Sequence, residues 1–88
     1  MNKKYVLKNP HGETVFCVID GTKIADDEFK KVLSVTDGQG FSVDVYEDEV
    51  RLVDYFHGET RATYEILSVS DTDEPTRYLW EKEDFKQN

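Results

Sequence analysis

The chain has one cysteine in 88 residues, so it cannot close an internal disulfide. Nothing in its composition calls for an oxidising compartment. Cys17 lies in the apolar run Val15-Phe16-Cys17-Val18-Ile19, where a lone thiol reads as a small buried hydrophobe rather than a redox centre or ligand. No run approaches the roughly 18 apolar residues of a membrane span, and the basic start leads into no apolar h-region. The expected location is the cytoplasm. Catalytic signatures are missing too. No glycine-rich loop carries a phosphate-binding lysine, and Gly38 and Gly40 read as a turn. There is no Cys-x-x-Cys and no His-Glu-x-x-His. Asp71, Asp73 and Glu74 match only the first positions of a calcium loop and lack its later glycine and bidentate glutamate. The serines have no histidine nearby in sequence to serve as base. A chain this short also leaves little room for a substrate cleft between two carboxylates. The reading is a non-enzyme with no cofactor and no metal site.

Cations are the other scarcity, and it is local. Residues 32–88 hold 14 Asp/Glu against 5 Lys/Arg, whereas residues 1–31 hold 5 against 6. The net charge of −8 therefore sits in the last two thirds of the chain. Such a field favours cationic partners and repels nucleic acid and anionic membranes. Direct nucleic-acid binding is further excluded by the want of cations that supply most of its affinity.

What is present describes one domain, residues 1–88. With 38% apolar and 12% aromatic residues spread from Tyr5 to Phe85, the chain is too aromatic for the disordered class. Residues 5–8 and 13–19 read as two strands joined by a turn over Asn9, Pro10, His11 and Gly12, which sets Lys8 opposite Glu13 and Tyr5 opposite Phe16. Asp26 then caps a short helix with Phe29, Val32 and Leu33 on its apolar stripe, and Gly38 lies where a left-handed cap is wanted. Residues 41–46, 50–56 and 60–69 read as a three-stranded meander. A tight turn near Glu47 and Asp48 pairs Val45 with Val50, Val43 with Leu52 and Asp44 with Arg51. A three-residue loop at 57–59 pairs Leu52 with Tyr64, Val50 with Ile66 and Arg51 with Glu65. The buried face is then Phe41, Val43, Val45, Val50, Leu52, Phe56, Ala62, Tyr64 and Ile66, with a charge ladder of Asp44, Arg51 and Glu65 on the other. Residues 70–75 read as an acidic loop and 76–82 as a last strand, with a helix through Tyr78, Lys82 and Phe85 as the weaker alternative. The sum is α+β: a helix on an antiparallel sheet, or a small partly open barrel.

The tetrapeptide His-Gly-Glu-Thr occurs at 11–14 and again at 57–60, and the two copies contain both histidines. A composite metal site, a duplicated hairpin and simple recurrence of turn residues all account for it, and recurrence is the plainest.

Two functional readings follow. The first is a non-enzymatic binding module that engages a basic protein, plausibly a nucleic-acid-binding enzyme. Its expected surface combines Asp44, Tyr46, Glu47, Asp48, Glu49 and Tyr55 with Asp71, Asp73 and Glu74, since carboxylates interleaved with tyrosines suit a groove built for a phosphate backbone. In size, charge and lack of catalytic motifs the chain resembles, as a class, the small acidic proteins with which phages and mobile elements block host nucleic-acid enzymes, of anti-restriction or anti-CRISPR character. The second reading is a structural or accessory domain whose charge serves solubility. It would form a homodimer through Val53, Leu67 or the sheet edge near Trp80.

Overall fold

The computed structural model describes residues 1–21 and 33–80. They form six strands: β1 (Asn2–Lys8), β2 (Thr14–Asp20), β3 (Leu33–Thr36), β4 (Phe41–Val45), β5 (Glu49–Asp54) and β6 (Glu59–Thr72). All pairings are antiparallel, in the order β2-β1-β6-β5-β4-β3. The sheet curls into a half-barrel.

This corrects the α+β expectation, because the described residues contain no helix and are all-β. The proposed helix falls on residues outside those described, except for Leu33. That residue opens β3 instead, and Gly38, with φ +74°, turns β3 into β4 rather than capping a helix. The expected last strand is also corrected. Arg77 makes one bridge to Val18, exchanging N–H···O bonds of 2.8 and 2.9 Å, and residues 78–80 continue in no strand.

The long strand β6 organises the sheet. Its first half pairs with β5 through Glu65, and its second half pairs with β1 from Glu65 to Thr72. The polar stretch from Ser70 reads locally as loop, yet β1 provides partners as far as Thr72. Long-range pairing overrides local preference in strands.

The core comprises Tyr5, Leu7, Cys17, Ile19, Leu33, Val35, Val43, Val45, Val50, Leu52, Tyr64 and Leu79. Cys17 is fully buried there. Burial raises the pKa of the Tyr5 phenol.

The β4–β5 register is as expected, with Val45 on Val50, Val43 on Leu52 and Asp44 on Arg51. The other two registers differ. In the first hairpin Tyr5 pairs with Cys17 and Lys8 with Thr14. Gly12 adopts φ +85° and adds a left-handed residue to the turn, so Asn9 rather than Lys8 faces Glu13. A one-residue slip exchanges faces. It places Cys17 inside and sends Phe16 to the opposite face, where Lys4 and Arg77 lie over its ring at 4.6 and 4.8 Å.

Between β5 and β6 the slip is two residues. Val50 pairs with Tyr64, Leu52 with Ala62 and Arg51 with Thr63, because the chain turns over 55–58 and bulges between Leu52 and Val53. A two-residue slip preserves faces, so Tyr64 stays buried. The early turn removes Phe56 from the core face and leaves it 71% exposed. It also replaces Glu65 with Thr63 opposite Arg51, so the expected charge ladder is not formed.

Both His-Gly-Glu-Thr copies use one turn device. The Asn9 side-chain oxygen accepts the His11 N–H at 3.0 Å and the Glu13 N–H at 2.8 Å. Asp54 accepts the His57 N–H at 3.2 Å. Gly12 and Gly58 then close the loops in the left-handed region, with φ +85° and +65°. The recurring tetrapeptide is thus a loop closed by an Asx side chain and a left-handed glycine. The Asn9→Ala variant orphans two amides beside a buried position and should lose about 1–3 kcal/mol in urea unfolding.

Candidate functional site: an acidic cleft at one end of the sheet

The turn Glu47–Asp48 joins β4 to β5, closed by the Tyr46 N–H donating to the Glu49 carbonyl at 2.8 Å. The Asp48 carbonyl accepts the Ile66 N–H at 3.2 Å, which ties this turn to β6. Because Glu65 pairs with Lys8 as well as with Glu49, the first hairpin turn reaches the same end of the sheet. Between them lies an open cleft of about 450 Å³, lined by Lys8, Asn9, Asp48, Glu49, Thr63 and Glu65 among others.

The cleft is acidic by construction. Glu49 and Glu65 are direct cross-strand partners, an arrangement that costs stability between like charges. Glu49 is compensated by the Arg51 guanidinium, which bonds its carboxylate and lies 4.4 Å from the centre of the Tyr46 ring. This bonding raises the Arg51 pKa. Glu47, Asp48 and Glu65 are exposed and make no ion pair with any described residue. Glu13 takes a bond from the Nδ2 of the cleft residue Asn9 at 3.1 Å. Among the described residues, Lys8 is the only lysine lining the cleft.

The expected surface is therefore divided. Glu47, Asp48, Glu49 and the half-buried Tyr46 share the cleft end. Asp44 lies apart from that end: it is largely buried and accepts the Ser34 and Ser42 hydroxyls at 2.6 and 3.1 Å. With Ser34, Ser42, Val53 and Tyr55 it lines a second shallow groove. Tyr55 is 41% exposed, and its hydroxyl accepts the Gly40 N–H at 3.1 Å.

Asp71 and Glu74 lie elsewhere. Asp71 is in β6, not in a loop, and pairs with Lys3 at 2.6 Å. Glu74 pairs with Lys4 at 3.0 Å and accepts the Thr72 hydroxyl at 3.1 Å. The lysine in each case is the main cause holding these carboxyls below the ordinary range. Asp73 is exposed. Six residues of strand, about 20 Å, separate Glu65 from Asp71. Sequence reasoning missed Glu65 and Lys8 as parts of the cleft. Their signal is the pairing register, which the sequence alone did not yield.

The other end of β6 carries a different cluster. The buried Asp54 carboxylate receives Arg61 at 3.0 Å and lies 2.8 Å from His57 Nδ1. Arg61 first, then His57, lowers the Asp54 pKa to about 2. A depressed carboxyl stabilises the fold above its unfolded value and loses that contribution as pH falls through the folded one. The melting-temperature gap between the native chain and Asp54→Asn should therefore be full at pH 6 and close between about pH 4 and pH 2. The two histidine turns lie at opposite ends of the first half of β6. Among the described residues no group of three or more His, Cys, Asp and Glu is placed to hold a metal ion. Among the described residues there is no helix long and apolar enough to cross a membrane.

The described residues thus form an all-β fold with an acidic, open cleft at one end of its sheet. No family model, curated protein or solved structure matches the chain.

Proposed function

We propose that this is a non-enzymatic binding protein that engages a basic protein partner through the acidic cleft, in the manner of a nucleic-acid mimic of anti-restriction or anti-CRISPR character. The observation that carries the reading is the exposed set Glu47, Asp48 and Glu65, without ion pairs among the described residues, beside the opposed pair Glu49 and Glu65. Exposed carboxylates at the end of a sheet steer and hold lysine or arginine side chains. The partner's cationic groove would otherwise hold a phosphate backbone. The location proposed is the cytoplasm.

The test is capture of partners from nuclease-treated lysate of the native host at low and moderate salt, read by mass spectrometry. One stoichiometric nucleic-acid-binding protein, retained by the native chain and lost with Glu47→Lys plus Asp48→Lys, supports the reading. A diffuse set of basic proteins, captured equally by both chains, refutes it.

A further inference from the structure

The strand β6 is paired on its β5 side only as far as Glu65. The Ile66 N–H bond to the Asp48 carbonyl is the last contact there, since the chain turns back into β4 at Asp48. From Leu67 to Thr72 that side of β6 has no strand beside it among the described residues. Leu67 and Val69 are 48% and 49% exposed, although Val69 pairs with the buried Tyr5. The stretch contains no proline, lysine or arginine, the residues that commonly blunt an edge. A strand edge flanked by exposed apolar side chains is a template for an added strand.

We infer that this half-edge captures an extended segment of the partner as an additional strand, with apolar residues beside Leu67 and Val69 and cationic residues beside Asp48, Glu65 and Asp73. The inference rests on the basic-partner reading and names how that partner is held. Charge decides the occupant. A second copy of the chain, paired antiparallel about Ser68 or Val69, would set Glu65 opposite Asp71 or Asp73, and the two copies would each bring a charge of −8. A lysine- or arginine-bearing segment reverses both terms. The bulge between Ile66 and Ser68 lies where β5 ends, a place where bulges re-aim side chains next to binding sites.

The probe is a short synthetic peptide alternating lysine and valine, titrated into the full isotope-labelled chain and followed by amide NMR shifts. A second peptide is N-methylated at two adjacent central residues, which blocks both of its backbone edges and keeps its charge. The expected result is shift changes along residues 65–73 and an affinity loss of about tenfold or more on N-methylation, the scale of a few lost hydrogen bonds. The Val69→Lys variant should weaken the first peptide further while leaving its own spectrum folded. Equal binding of both peptides, with shifts confined to 47–49, overturns the edge inference and leaves the basic-partner reading standing. No binding of either peptide at low salt overturns both. Concentration-dependent dimers of the chain, with shifts along 67–72 in the absence of peptide, overturn it in favour of a second copy.

Discussion

Reversing two charges at the β4–β5 turn, as Glu47→Lys with Asp48→Lys, should abolish partner binding while the fold persists. Both side chains are exposed and make no ion pair with any described residue, so the change removes no described internal interaction. The turn is closed by backbone, through Tyr46 N–H and the Asp48 carbonyl, and neither bond needs the carboxylates. The melting temperature should move by a few degrees at most, since surface substitutions of this kind stay within roughly 0.5 kcal/mol. Binding should fall by about a hundredfold or more, because each attractive pair becomes a repulsive one. The loss should come first in the association rate and shrink as salt rises. Glu49→Lys is a poorer probe, because Glu49 holds Arg51 against Tyr46. Asp71→Lys is poorer again, since it breaks the pair with Lys3. Retained affinity in the double variant, measured by titration calorimetry, would remove the cleft from the interface.

The second large effect concerns the segment after β6. Leu79→Ala should cost about 2–5 kcal/mol in urea unfolding, as expected for a large aliphatic side chain removed from a packed interior. Leu79 is fully buried although residues 78–80 belong to no strand. The backbone of this segment is tied to β2 by the Arg77–Val18 bridge, and Tyr78 stacks on Trp80 with ring centres 4.5 Å apart. The segment therefore closes the core next to β2. For a domain of this size the loss corresponds to a melting-temperature drop of roughly 8 °C or more. The near-ultraviolet signal of Trp80 should weaken in the same variant. A loss under about 1 kcal/mol would mean that Leu79 is peripheral to the core.

The meander was legible because its pattern is local. Val43, Val45, Val50 and Leu52 alternate with polar residues on either side of a two-residue turn, and that turn determines one register completely. The first hairpin was legible in place but not in register. Whether Gly12 ends the turn or adds a left-handed residue beyond it changes the pairing by one, and both fit the same four letters. The β5–β6 slip followed from a turn closed by Asp54 rather than one centred on Gly58, a choice made by the Asp54 side chain and the bulge at Leu52. Leu33 shows the same limit from the helical side. Its spacing from Phe29 suits a helix stripe, but pairing with Val45 draws it into β3.

The candidate site divides along that line. Glu47 and Asp48 were readable as an exposed acidic turn, because a turn between alternating strands must face water, whereas Glu49 opens β5, is half-buried and holds Arg51. Asp44 was not readable as buried. The placement of Ser34 on a neighbouring strand, with Ser42 two residues away, helps to satisfy its carboxylate away from solvent. Nor could the chain order show that Asp71 and Glu74 are neutralised, since Lys3 and Lys4 reach them only across the β1–β6 pairing.

By itself, then, the sequence determined the acidic balance, the lack of catalytic motifs and the β4–β5 register, all consequences of composition and short-range periodicity. The tertiary structure alone decided that β6 joins hairpin to meander and, among the described residues, which carboxylates make no ion pair and which stretch of strand edge has no strand beside it. Those depend on pairings between residues far apart in the chain, whose free energy comes from a shared core and is not written in any one segment.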